Sequence, residues 1–333
     1  MPLLRLLKRL LLLLVAGAIA AASGLTWFAL KPLPLPTSPR EFSIPFGLSL
    51  RGVSQQMSDA GLGFSPWQFT LLARLAGKAA EIKAGSYEVS QGVTPWLLLE
   101  KLTRGDVTQA ELLLVEGKTF RQLREALDAH PALQHDTTGL SDAAILAQLG
   151  AVESHAEGLF FPDTYLFTKR SSDLEILRRA YRAMQRRLGS EWQRRDPEVP
   201  FKTPYEALIM ASIVEKETGR AADREQIAAV FANRLRLGMM LQTDPTVIYG
   251  LGKGFDGSLH RRDLTTDTPY NTYTRGGLPP TPIAMPGLAA LQAALHPPKS
   301  VMLYFVARGD GSSEFSRTLD EHNRAVAKYR RGR

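Results

Sequence analysis

Glu215 is the residue whose setting most suggests chemistry. It lies near the end of the run YEALIMASIVEKETG at 205–219, where Ser212 is the only polar residue from 207 to 214. At 100° per residue, a helix brings Leu208, Ala211 and Ser212 onto the face of Glu215 and turns Glu217 roughly the opposite way. A carboxyl held against an apolar face loses hydration, which favours its protonated form. A neutral carboxylic acid near pH 7 is what a glycosidic oxygen needs in order to leave. The plainer reading is a helix that surfaces at its end with Glu215 solvated, and this stretch alone favours it. Glu217, by its phase, is expected at the surface or in a salt bridge.

Other chemistries find little support. Six histidines are scattered without His-Glu-x-x-His spacing, so no metal site is expected. There is no cysteine, hence no thiol nucleophile and no disulfide, and no Gly-x-Ser-x-Gly elbow. Gly117-Lys118-Thr119 is not a phosphate loop, because Leu112 stands where the first glycine must be; Thr119 reads as a helix N-cap. No dinucleotide fingerprint appears. Acid–base catalysis by carboxylate, with no cofactor, is what remains.

The elements that must position such a group come in a clear order. Residues 10–30 carry no charge and are long enough to cross a bilayer. Arg5, Lys8 and Arg9 precede them and only Lys31 closely follows, which puts residues 1–9 in the cytoplasm and the remainder outside. A cleaved signal peptide is the rival, with Ala20, Ala21 and Ala22 as the site, but the apolar run continues past it through Trp27 and Leu30. Residues 31–40, with prolines at 32, 34, 36 and 39, read as a stiff stalk. Residues 41–108 pattern as strand, helix, helix, strand, helix, with Ser65 and Thr94 as N-caps. Residues 109–333 form a larger mixed unit. In it a helix from 174 to 195 carries Arg178, Arg179, Arg182, Arg186 and Arg187 on one side, a pattern that usually marks a solvated face. The stretch EGLFFPDTYLF at 157–167 reads as a loop running into a strand, its rings either core or a wall for stacking sugars. From 249 to 287 the chain is loop-rich in Gly, Pro, Thr and Tyr, which suits a neutral polysaccharide. The net charge of +8 permits nucleic acid, but the topology argues against it and towards lipid headgroups and cell-wall polymer.

ASIVEKE at 211–217, RLRLG at 234–238, LQTDPTVIY at 241–249, NTY at 271–273, GLPP at 277–280 and YFV at 304–306 resemble the endolytic murein transglycosylase (MltG, YceG-like) family, as does EGLFFPDTY at 157–165. The resemblance implies an α+β chain: one transmembrane helix, a small LysM-like α/β module near 41–108, and a larger α+β catalytic domain in the periplasm of a cell with an inner membrane. It implies cleavage within nascent peptidoglycan strands to leave 1,6-anhydro-N-acetylmuramic acid ends, with Glu215 as the catalytic glutamate and work beside peptidoglycan synthases such as penicillin-binding proteins. One carboxyl suffices for that chemistry, whereas a hydrolase usually needs two. Gln242, Asp244, Asn271, Tyr273 and Tyr165 are the candidates for holding the sugar, although Asp244 before Pro245 also suits a turn and Tyr273 also suits a core. Two alternatives stay open: a muramidase that uses water with Asp244 or Glu217 as second carboxylate, and a non-catalytic wall-binding scaffold.

Overall fold

The computed structural model describes residues 2–330. Met1 and residues 331–333, where the expected cytoplasmic segment begins and the expected catalytic domain ends, lie outside the described residues, as does the side chain of Arg5. The chain divides into two compact units, Met1–Ala110 with Leu166–Ser171, and Glu111–Tyr165 with Ser172–Arg333.

The first unit opens with helix α1 (Pro2–Leu30). Its stretch Leu7–Leu30 runs 24 residues at a mean hydropathy of 2.1, long and apolar enough to cross a membrane. There follow β1 (Arg40–Ile44), α2 (Leu50–Asp59), α3 (Pro66–Leu75), β2 (Gly85–Val89) and α4 (Pro95–Arg104), the expected order. The helix starts are chemical: Ser49 and Thr94 each accept the N–H three residues on, and Ser65 forms a capping box with Gln68. β1 and β2 pair antiparallel with Phe42 opposite Tyr87, their rings stacked 5.7 Å apart over the core. Residues 31–40 do not stand clear as a stalk. Leu33 is buried and its N–H donates to Val93 O at 2.8 Å, while Ala29 and Leu33 share one core with Met57, Phe69 and Leu98. The prolines stiffen the segment, but the leucines between them are apolar and gain by burial.

The second unit takes up the chain within β3 (Gln109–Leu113). Next come α5 (Phe120–Asp128), β4 (Leu133–Gln134), α6 (Asp142–Leu149), β5 (Thr164–Thr168) and β6 (Ser171–Ser172), of which residues 166–171 belong to the first unit, and the long α7 (Asp173–Gln193). Thr119 caps α5 by a capping box with Gln122, as its type predicts. Then follow α8 (Pro204–Glu217), α9 (Ala221–Arg236), α10 (Asp244–Leu251) and the short α11 (Arg261–Thr265). After them the chain completes α12 (Leu288–Leu295), the antiparallel hairpin β7 (Tyr304–Ala307) and β8 (Ser313–Ser316), and α13 (Leu319–Arg330).

Helix α8 is the centre of this unit. Every residue from 207 to 214 is buried, packed among α7, α9, α10 and α12. A helix apolar on all sides belongs in the middle of a core. Its single polar member, Ser212, has no water to turn to. It donates to Ile209 O at 2.7 Å and accepts Ile283 N–H at 2.9 Å, pinning the long loop before α12 to the helix. Asp244 begins α10 rather than a simple turn, with Pro245 in its first turn, where a missing N–H costs nothing.

Candidate active site

Two carboxylates leave the buried helix α8 within three residues of each other, and their surroundings differ. Glu215 turns towards the loop before α5. Its Oε2 accepts Gly287 N–H at 3.0 Å, and Lys216 Nζ donates to Gly117 O beside it. Burial raises the Glu215 pKa, the Gly287 N–H opposes the rise, and nearby Glu116 adds to it. A side chain at 287 would put its Cβ 1.9 Å from Glu116 Oε1, so the Glu116 carboxylate packs directly over the Gly287 backbone. Glu215 is thereby engaged with backbone, and that hydrogen bond favours its charged form.

Glu217 is not the surface group its helical phase suggests. It is half-buried, and its Oε2 accepts from Thr243 Oγ1 at 2.7 Å. It lines a cavity of about 410 Å³ together with Gln242, Asp244, Tyr273, Tyr304 and His322. Burial pushes its pKa up to about 6; the Thr243 hydroxyl works against this, Asp244 works with it, and Arg234 against it. The phase argument fails for a physical reason: where a helix is buried all round, direction no longer separates inside from outside.

The walls are held by a threonine network. Thr243 N donates to Thr272 Oγ1 at 3.1 Å, Gln242 N to Thr272 O at 3.1 Å, and Thr246 and Thr272 hydroxyls meet at 2.9 Å. Gln242 adopts φ +49°, a left-handed turn that aims its exposed side chain into the cavity. Tyr273 OH donates to Asp244 Oδ1 at 2.6 Å. Buried Arg234 donates to Leu303 O at 2.7 Å and Leu241 O at 2.8 Å, and its guanidinium lies 5.1 Å from the Tyr304 ring centre.

Of the residues expected to hold sugar, Gln242, Asp244 and Tyr273 meet in this cavity, beside Glu217 rather than Glu215. Asn271 does not join them. It is fully buried and its Nδ2 donates to the carbonyls of Asp263, Leu264 and Thr266, so it folds the loop. Tyr165 does not join them either. It is buried, and its hydroxyl donates to Phe161 O at 2.8 Å. Leu159, Phe160, Phe161 and Phe167 are core residues as well, so most of the expected aromatic wall is packing. Glu157 of that stretch is a buried strut, accepting Phe120 N–H at 2.9 Å and Tyr249 OH at 3.0 Å; burial pushes its pKa up to about 7.

Arg234, Tyr304 and His322 also line the cavity, and buried Thr243 reaches Glu217 from behind it; none of the four is among the site residues expected from the sequence. Arg234 reads as an ordinary charge in the last turn of a helix, and His322 sits far along the chain on a basic segment. Among the described residues, Asp128, His135 and Asp173 bring ligand atoms within 4.8 Å of one another, but both Asp173 oxygens already accept from Thr137.

The YceG-like family model matches residues 42–328. The endolytic murein transglycosylase of Bacillus subtilis (strain 168) is 33% identical, over 86% of this chain and 84% of its own. That of Streptococcus pneumoniae serotype 2 is 29% identical over 89% of this chain, which spans 60% of that longer relative. Among solved structures, a yceG-like protein from Listeria monocytogenes superposes with a TM-score of 0.54 at 31% identity, covering 85% of this chain and 98% of that one.

Proposed function

Because the chain belongs to the YceG-like family, we propose that it is an endolytic murein transglycosylase, cutting inside peptidoglycan strands between N-acetylmuramic acid and N-acetylglucosamine. The observation that carries the assignment of roles is the cavity in which Glu217 meets Gln242, Asp244 and Tyr273. A carboxyl with a pKa near 6 holds a proton in a fair share of molecules near neutral pH. With Thr243 donating to one Glu217 oxygen, the other is left to carry the proton.

The steps balance without water. Glu217 gives its proton to the glycosidic oxygen, and the bond from that oxygen to the muramic anomeric carbon breaks. The muramic C6 hydroxyl then closes onto that carbon and returns its proton to the Glu217 carboxylate. The products are a free 4-hydroxyl on N-acetylglucosamine and a 1,6-anhydro-N-acetylmuramic acid end. Asp244, fixed by Tyr273, supplies negative charge beside the sugar as positive charge builds on it. Gln242, exposed in the cavity, offers a hydrogen-bonding group to the ring. The exposed apolar stretch Leu7–Leu30 supports a single-pass anchor in the inner membrane with Lys8 and Arg9 inside and both units in the periplasm. That position favours nascent strands as substrate, so that cutting ends strand growth, and it favours peptidoglycan synthases as neighbours. The compact unit that carries β1, β2 and α2–α4 suits the role of a LysM-like glycan-holding module.

The test is digestion of purified peptidoglycan by the full chain, with products weighed by mass spectrometry. Ends lighter than hydrolytic ones by one water are expected, lost by Glu217→Gln and retained by Glu215→Gln. Loss with Glu215→Gln alone would return the acid role to Glu215. Reducing ends would favour a muramidase, for which Asp244 stands in the right cavity to be the second carboxylate.

A further inference from the structure

The arginines of α7 do not simply face solvent. Arg179, Arg182, Arg186, Arg187 and Arg194 line a groove of about 830 Å³ within the second unit. The steps 179, 182, 186 and 194 fall on one face of a helix and span about 22 Å along it. The acids in the groove do not balance them: Glu191 is engaged by Arg194 at 2.6 Å, and Asp163 Oδ1 accepts Thr164 N–H at 2.8 Å. Arg182 and Arg186 have no ion-pair partner among the described residues. Arg187 lies 4.6 Å from the Phe161 ring centre and Arg179 5.5 Å from that of Tyr165. Rings that hold guanidinium groups flat reduce the entropy lost when those groups bind.

Arg182, Arg186 and Arg187 set permanent positive charges along one concavity, and their mutual repulsion is eased when an anion enters. We propose that this groove binds the carboxylates of the peptide stems carried by a murein strand; the inference rests on the murein reading. Guanidinium forks match carboxylates two bonds at a time. The groove is lined elsewhere by Ser190, Thr164 and Gln292, which suit a peptide backbone, with Leu288, Ala183 and the Tyr165 ring offering apolar surface. The far wall belongs to α12, whose first residue follows Gly287, and Gly287 is bonded to α8 two residues before Glu217.

The test uses the full chain in nonionic detergent and two preparations of the same strands, one with stems and one stripped of them by an amidase. Binding and cleavage are read for the wild type and for the Arg182→Gln/Arg186→Gln chain; both positions are exposed, so the fold should survive. The wild type should bind stem-bearing strands about tenfold more tightly than stripped ones, with the gain in KM and not in kcat, and the double variant should lose that preference, as expected for charge-assisted contacts. Equal handling of the two preparations by the wild type, or an undiminished preference in the variant, overturns the proposal. So does a loss confined to binding of micelles doped with anionic phospholipid, which would assign the groove to lipid headgroups. Stem-dependent binding without cleavage would refute the enzymatic reading and leave this one standing.

Discussion

At the scale of single residues, the proposed mechanism turns on the proton of Glu217. Its pKa of about 6 predicts a kcat/KM that falls as pH rises through that value, because the acid must enter the reaction protonated. Glu217→Gln should lower kcat by about 10²–10⁴-fold. Thr243→Val removes a hydrogen bond that favours the charged carboxylate, so the falling limb should move to higher pH; a limb that stays put would show that Thr243 does not tune this group. Glu157 makes a matching prediction for stability. Its pKa is raised from an ordinary carboxylate value of 4.5 to about 7 on folding, so the folded state holds the extra proton. Stability from this group is full below 4.5 and is lost as pH climbs to about 7, by an amount on the order of 3 kcal/mol. Urea unfolding at pH 5 and pH 8 should show that Glu157→Gln removes most of this slope.

At the scale of elements, local signals were legible and meetings between distant segments were not. Ser65, Thr94 and Thr119 announce their helices because a cap is made within three residues of itself. The cavity depends on Thr243 reaching back to Glu217, and on Tyr304 and His322 arriving from the hairpin and last helix, for which no local pattern exists. Gln242, Asp244 and Tyr273 are legible as candidates because their chemistry suits a sugar, and they line one cavity; Asn271 has the same chemistry and serves the backbone instead, which only its burial reveals. Glu217 reads as a surface group in the sequence because that reading assumes a one-sided helix, whereas α8 is buried all round and holds Glu217 half-buried against Thr243. Ser212 is the element-level test. Ser212→Ala strands Ile283 N–H in a dry core and should cost about 1–3 kcal/mol in denaturant unfolding, with activity falling as the loop before α12 loosens.

At the scale of the whole molecule, the break expected near residue 108 lies close to the boundary at Ala110, although residues 166–171 join the first unit, and the helices Asp142–Leu149, Asp244–Leu251 and Arg261–Thr265 carry no expectation from the sequence. The stalk was misread, because proline spacing reports stiffness and says nothing about what the intervening side chains touch. This bears on how the chain is cut for study. A version starting at residue 40 discards Leu33 and Leu35, which pack on the small unit, whereas one starting at residue 31 keeps them. Burying a leucine side chain is worth roughly 1.5–3 kcal/mol, so the shorter version should melt at lower temperature. Equal melting temperatures would mean the leucines contribute nothing to that core.

The same packing limits how the small unit can move. A loose tether would let it swing and sweep a wide volume above the proposed membrane, meeting strands at many heights. With Ala29 and Leu33 sunk into its core and Leu33 bonded to Val93, it is instead set on the end of α1 like a head on a short neck. It turns and tilts only as the helix does, so in the proposed anchor its orientation would be set by the bilayer around α1, and a thinner or thicker bilayer would present it at a different angle.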